Sequence, residues 1–309
     1  MSSSEQEKTK KEQFQEQMRQ IAEEASKKTA EELVLDYKGL LYPSVLCSKE
    51  TFEALETVEA REDDLLIVTY PKCGTNWAVK ILHEMVYSIH GKEPALIQAM
   101  IEFGKPEKVE YLKQQPSPRV FCTHLYYDDI PKSFFEKKVK MLVIFRNPKD
   151  TAVSYYHFCN NNPVLPKYSS WDLFFQDYIN GKALWGSYFD HAVAWNKHID
   201  DENILLLTFE EMKEDYTSKL KKISEFFGLS LTDDQLNTVE NATSFKSMKE
   251  NSSETHGKLG HVFFRKGEIG DWKSLFTEEQ SQEVDSKFEQ FLAGTQLGEK
   301  LKYDLYCKF

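Results

Sequence analysis

Three apolar runs, 65–68, 139–145 and 203–209, are each too short for a helix, and each gives way to a polar turn and then to helical periodicity. After the first, Trp77, Ile81, Leu82, Met85, Val86 and Ile89 fall on one helical face. The second runs into Arg146-Asn147-Pro148-Lys149-Asp150, with a helix expected from about Thr151. The third runs into Glu210 and Glu211 and a helix over 216–227, closed by Gly228. A further short strand, 120–124, ends on His124. Repeated strand-to-helix units predict an α/β fold, a central parallel sheet flanked by helices with right-handed crossovers. Aromatic-rich amphipathic segments at 171–178 and 184–198 read as packing helices, and Thr277 with Gln280 forms a capping box for a helix over 278–292.

Between these elements the pattern weakens. Residues 1–33 are dominated by Glu, Gln, Lys and Ser, with a thin apolar stripe at Phe14, Met18, Ile21 and Ala25. They predict a helical or flexible, solvated extension, assigned to 1–38, ahead of one domain over 39–309. The stretch 91–118, rich in Glu, Lys and Pro, reads as a mobile connection with short helices. The stretch 241–276 is polar and poorly periodic, and a loop of that length is usually functional or disordered.

Composition narrows the class. The 309 residues are 40% hydrophobic and 13% aromatic, enough for a sizeable core, and the apolar runs are far too short to span a bilayer. The first twenty residues hold no apolar region of the secretory kind. Five scattered cysteines, Cys47, Cys73, Cys122, Cys159 and Cys307, with no CxxC pair, argue against a disulfide framework and a zinc site. A soluble cytoplasmic protein is expected. A net charge of −11 disfavours a nucleic-acid surface, so any anionic ligand must be held by local cations.

The turn after the first strand, YPKCGTNW at 70–77, supplies such cations and dipoles. The first N–H groups of a helix lack intrahelical partners and sit at its positive end, where anions bind. Gly74 lets a ligand approach, Thr75 and Asn76 add polar groups, and Lys72 adds a full charge. The lysine precedes a single glycine, unlike the P-loop GxxxxGK[ST], and an ordinary turn with a surface lysine is the competing reading. His124, at the carboxyl end of a strand, lies where open α/β sheets bind ligands, although a lone histidine is more often structural. Arg146 and Ser154 could reach a second phosphate, the alternative being a surface arginine paired with Asp150. Arg265-Lys266-Gly267 is a compact cationic turn that alone would pass for a solvated loop.

Taken together, YPKCGTNW at 70–77, THL at 123–125, FRNPKDTAVSYYHF at 145–158, ATSFKSMK at 242–249 and RKGEIGDWK at 265–273 resemble the cytosolic sulfotransferases, and subfamily 6B among them, over roughly residues 40–305. The resemblance implies transfer of a sulfuryl group from 3′-phosphoadenosine 5′-phosphosulfate (PAPS) to the hydroxyl or amine of a small acceptor such as a phenol, steroid, amine or iodothyronine. It places Lys72, Cys73, Gly74, Thr75 and Asn76 on the 5′-phosphosulfate, and Arg146, Ser154, Arg265, Lys266 and Gly267 on the 3′-phosphate. Trp77, Phe209, Thr243, Phe245 and Phe264 would contact the rest of the nucleotide, Phe158 would line the acceptor pocket, and His124 would be the general base. In the family's picture Ser154 holds Lys72 back until acceptor binds. No metal is implied, and no Walker-B-like aspartate is apparent, which weighs against a small-molecule kinase.

Three departures from the family pattern stand out. Cys122 occupies the position of a lysine two residues before the histidine, and Phe209 that of a nucleotide-contacting tyrosine. Both leave open a PAPS-binding protein with weak or lost transfer. The family's dimer motif appears altered, as Lys273, Thr277-Glu278 and Gln282, so that mode of homodimerisation is not expected. The sequon Asn241-Ala242-Thr243 should stay unmodified without a secretory signal.

Overall fold

The computed structural model describes Glu16 and residues 19–91, 100–253 and 260–308. An antiparallel hairpin, β1 (Val34–Tyr37) and β2 (Leu40–Pro43), precedes four parallel strands, β3 (Leu65–Thr69), β4 (Val120–Thr123), β5 (Lys140–Phe145) and β6 (Ile204–Thr208). The parallel strands form one sheet in the order β4-β3-β5-β6. Both faces are covered, which is why these strands read as unbroken apolar runs.

Alternate side chains divide the core. Leu66, Val68, Phe121, Met141 and Val143 join Tyr155, Phe174, Trp195 and Phe288 on one face. Leu65, Ile67, Cys122, Leu142 and Ile144 join Ile81, Leu82, Leu220, Ile223 and Val239 on the other. The helix after β3 (Thr75–His90) therefore packs on one face, and the helix after β5 (Pro148–Asn161) on the opposite one. A sheet whose first two such helices part in this way opens a crevice at the carboxyl ends of β3 and β5. The register pairs Val68 with Thr123, Thr69 with Ile144 and Phe145 with Thr208. The four strands end nearly level, and the residues that follow them share one edge.

Several boundaries differ from the sequence reading. The expected division after residue 38 falls in the turn of the β1–β2 hairpin, and Ala25 and Leu33 are buried in the main core, so the packed body begins before it. Phe14 and Met18 lie outside the described residues, while 19–25 are helical. The helix expected from Thr151 starts at Pro148, because Asn147 caps it by accepting from the Asp150 N–H at 2.8 Å and proline suits the first helical position. The segment expected to be helical over 184–198 is so only from Tyr188 to Asn196, because Trp185 and Gly186 have φ of 61° and 74°. The stretch read as irregular, 241–276, opens in the last turn of the helix Asp233–Thr243 and contains the helix Phe245–Glu250, capped by Ser244. Part of the 91–118 connection, 92–99, lies outside the described residues, but Ile101 N–H donates to the Cys122 carbonyl at 2.9 Å, and Ile101 and Glu102 are buried.

The amino end of the sheet is fixed by a buried ion pair. Arg119 Nε donates to Asp64 Oδ1 at 2.7 Å and Nη2 to Oδ2 at 2.5 Å, with both side chains almost fully buried. The guanidinium also donates to the carbonyls of Leu112 and Glu59, and Asp64 accepts from the Arg61 N–H, so nearly every polar atom is satisfied. Removing one partner leaves the other charge buried and unpaired. Asp64→Ala is accordingly expected to destabilise the fold by about 3–5 kcal/mol, read as a lower urea midpoint. A change under about 1 kcal/mol, the scale of a surface pair, would contradict this assignment.

Candidate active site

The turn between β3 and its helix is built by two left-handed residues. Lys72 has φ of 70° and Gly74, the helix N-cap, φ of 106°. A non-glycine residue in that region costs roughly 1–3 kcal/mol and tends to mark functional sites. The next residues open the helix and leave their N–H groups without intrahelical partners, and Thr75 Oγ1 lies 2.7 Å from Thr69 Oγ1. A Cβ on Gly74 would stand 3.3 Å from the Phe209 ring, so glycine is what allows that ring to lie against the turn. Asn76 is half-buried in the first helical turn. Cys73 is buried 3.7 Å from Thr151 Oγ1, and burial pushes its thiol up to about 12, so it remains neutral.

His124 follows β4 and is buried beside this turn. Its Nδ1 lies 2.7 Å from the Thr69 carbonyl oxygen, and since a carbonyl only accepts, Nδ1 carries the proton and Nε2 keeps a lone pair. Burial lowers its pKa to about 4, with the Thr69 bond opposing and the nearby Lys72 charge assisting. Trp185 meets His124 edge-on at 5.1 Å between ring centroids and lies 6.1 Å from Phe103. Its left-handed backbone is held by the N-terminal hairpin, Trp185 N–H donating to the Leu41 carbonyl at 2.7 Å, and Tyr70 Oη donates to the adjoining Gly186 carbonyl at 2.9 Å. Trp185 and Thr69 carried no signal in the sequence.

Lys72 points its ammonium at aromatic rings, with Nζ 3.9 Å from the Phe158 centroid and 5.9 Å from that of Phe263. Burial first, and then the positive charges of Arg146 and Arg265, lower its pKa to about 7. A bound anion would reverse that charge effect. Ser154 lies on the neighbouring helix, half-buried, but no hydrogen bond joins it to Lys72 among the described residues. The contact expected between them is replaced by Lys72 on Phe158.

The other candidates gather around Phe209. Arg146 places Cζ 4.5 Å from its centroid, donates from Nη2 to the Glu268 carbonyl at 2.7 Å and stands 3.6 Å from Asp150, while its Nε is buried without a partner. The surface-arginine alternative is thereby excluded, although the Asp150 contact is present. Trp77 meets Phe209 edge-on at 5.5 Å and donates from Nε1 to the Thr243 carbonyl at 2.9 Å and to Tyr216 Oη at 3.1 Å. Tyr216 also bonds the Thr243 hydroxyl, and it is a member of this cluster that the sequence did not reveal. Phe209 itself opens a helix, because Thr208 caps that helix with Glu211 in a capping box.

The cationic turn is brought to the same side. Asp150 accepts from the N–H groups of Gly270 and Trp272 at 2.8 and 2.9 Å, tying this segment to the helix after β5. Gly267, at φ of 66°, lies so close to Phe245 that a Cβ there would overlap its ring, and Phe264 is buried. Arg265 and Lys266 are both paired with Asp271, whose carboxyl they hold below its usual range against the opposing effect of burial. Arg265 is half-buried in this pairing, whereas Lys266 remains exposed, as a cationic loop residue is expected to be. Cys122 lies within the sheet, its thiol 3.7 Å from Met100 Sδ and raised in pKa by burial. Among the described residues no group of three or more His, Cys, Asp or Glu side chains could hold a metal, and no helix is long and apolar enough to cross a membrane.

The arrangement offers an anion-binding turn, an arginine with an unpartnered N–H, an aromatic wall and a neutral imidazole within one crevice. The Sulfotransferase domain family matches residues 62–296. The chain is 51% identical over 286 residues to sulfotransferase 6B1 of Mus musculus, spanning 92% of this chain and 94% of the relative. It is 48% identical over 287 residues to sulfotransferase 6B1 of Homo sapiens, spanning 92% and 95%. The crystal structure of mouse sulfotransferase SULT7A1 complexed with PAP is similar at a TM-score of 0.80 and 35% identity, covering 88% of this chain and 99% of that one.

In an imidazole nitrogen NMR titration His124 is expected to remain neutral, with the proton on Nδ1, to about pH 5, whereas an unperturbed histidine titrates near 6.5. Protonation of His124 near 6.5, or a proton resident on Nε2, would contradict the assignment.

Proposed function

This chain belongs to the cytosolic sulfotransferases, subfamily 6B, and moves a sulfuryl group from PAPS to a small acceptor, and we propose that His124 is the general base of that transfer. The observation that carries the proposal is the 2.7 Å bond from Nδ1 to the Thr69 carbonyl, which leaves the Nε2 lone pair available beside the anion-binding turn. PAPS supplies the activated sulfuryl group and leaves as the bisphosphate.

The residues fit such a nucleotide. The N-terminal turn of the helix Thr75–His90, with Lys72, Cys73, Gly74, Thr75 and Asn76, would hold the 5′-phosphosulfate through backbone N–H groups and one ammonium. Arg146, whose Nε is buried without a partner, would take the 3′-phosphate, with Ser154 and the Arg265-Lys266-Gly267 turn completing its shell. Arg265 and Lys266 would exchange part of their bonding to Asp271 for the incoming anion. Trp77, Phe209, Thr243, Phe245 and Phe264 would frame the base, with Tyr216 fixing Trp77 and Thr243.

His124 would remove the acceptor proton as the acceptor oxygen or nitrogen attacks sulfur in line, a contribution of about 10²- to 10⁴-fold. Its proton affinity in the free protein is lowered by burial and by the Lys72 charge. Neutralising Lys72 with a bound anion removes the second cause and makes His124 the better acceptor. Lys72, protonated in that state, would donate to the bridging oxygen that gains charge as the bond to sulfur breaks. Phe158, Phe103 and Trp185 would bound the acceptor, favouring flat aromatic molecules. Five free, buried cysteines suit a reducing cytoplasm.

Two substitutions test these roles. His124→Ala is expected to lower transfer by about 10²- to 10⁴-fold while PAP binding persists, and undiminished transfer would remove the base assignment. Arg146→Ala should weaken binding of nucleotides bearing a 3′-phosphate by about 1.5–3 kcal/mol, the scale of a charged hydrogen bond. Calorimetry with a nucleotide lacking that phosphate is the control, and an equal loss there would reject the 3′-phosphate site.

A further inference from the structure

One fully buried carboxylate has no part in the chemistry above. Glu102 accepts from the His124 backbone N–H at Oε1 and from the Thr123 hydroxyl at Oε2, both at 2.9 Å. Thr123 Oγ1 in turn accepts from the Leu125 N–H at 3.1 Å, so three successive residues around the imidazole are tied to one side chain. The carboxylate is itself held on a fixed segment. Met100 bridges to Cys122 in parallel register, Ile101 N–H donates to the Cys122 carbonyl, and Gly104 N–H donates to the Leu46 carbonyl at 2.8 Å. Lys108, also buried, clamps the segment from the other side by donating to the carbonyls of Met100 and Phe103.

Burial raises the Glu102 pKa, opposed by the His124 N–H, the Thr123 hydroxyl and the Lys108 charge. Burying such a group costs several kcal/mol unless its lone pairs are well used, and an apolar side chain would stabilise a fold at least as well. What an apolar side chain could not do is fix the backbone from which the imidazole hangs.

We propose that Glu102 is a positioning residue for His124: its carboxylate locks the backbone of residues 123–125 so that Nδ1 meets the Thr69 carbonyl and Nε2 faces the acceptor. This rests on His124 being the base. A misplacement of about 1 Å in such a group can cost on the order of 10²-fold in rate.

The test separates turnover from binding. Glu102→Ala is expected to lower kcat by about 10- to 100-fold with the PAP dissociation constant and the acceptor KM unchanged. Glu102→Gln, which keeps the shape and can bond both partners through its oxygen and amide, should recover most of the loss. A purely structural role predicts instead that kcat and PAP binding fall together with the folded fraction, and either that result or a wild-type kcat in Glu102→Ala overturns the proposal. Should Glu102→Ala fail to fold, Thr123→Val removes one of the two donors. It is expected to lower kcat by about 5-fold at unchanged PAP affinity, and an unchanged kcat overturns the proposal equally. In a His124→Ala background, Glu102→Ala should cost no further turnover. A further loss there rejects positioning through His124 while leaving the base assignment standing, whereas undiminished transfer by His124→Ala alone removes the base and this proposal with it.

Discussion

The end of β3 does two things at once, and the site depends on both. The Thr69 carbonyl accepts a hydrogen bond from His124 Nδ1, and the Thr69 hydroxyl meets Thr75 at the start of the helix that follows the anion turn. The imidazole and the turn are thus referred to a single residue. Parallel pairing places Ile144 beside that residue and Thr123 beside the preceding Val68, which brings His124 and Arg146 to the same edge. A one-residue slip in either pairing would invert every side chain of the slipped strand across the sheet.

The crevice concentrates positive charge that Asp150 and Asp271 balance only in part. Lys72, Arg146 and Arg265 lie close enough for the two guanidinium groups to lower the lysine pKa. The protein manages this with aromatic faces, Phe158 under Lys72 and Phe209 under Arg146, with the Glu268 carbonyl and with Asp271. Aromatic faces stabilise a cation modestly, about 0.5–2 kcal/mol each, and can be left when a full negative charge arrives. In a chain of net charge −11 this concentration is local.

The parallel sheet and the anion turn were legible because they depend on contiguous signals, namely unbroken apolar runs and the lysine–glycine turn. The cationic turn at 265–267 was legible only through its resemblance to known motifs, since a charge cluster has no fixed location of its own. Thr69, Glu102, Trp185 and Tyr216 were missed for a common reason. Each acts through a partner distant in sequence, 55 residues for Thr69 with His124 and 21 and 22 for Glu102 with Thr123 and His124. A threonine ending an apolar strand or a glutamate in a polar stretch gives no sign of such a partner. The helix boundaries moved where capping outweighed periodicity, at Asn147-Pro148 and Ser244, and the hairpin was missed because four-residue strands leave too little pattern to read.

The left-handed Trp185 and its tether to Leu41 carry a consequence for how such a chain can change over time. The side of the crevice that holds Lys72 and Arg146 is made of short contiguous motifs at strand ends, where one substitution disturbs several contacts. The side facing His124 is assembled from a hairpin, a single tryptophan and Phe103, drawn from three separate stretches. Those stretches can drift one residue at a time while the motifs stay fixed. Descendants of such a sequence would thus reshape the wall beside His124 long before they lose the turn over 72–75.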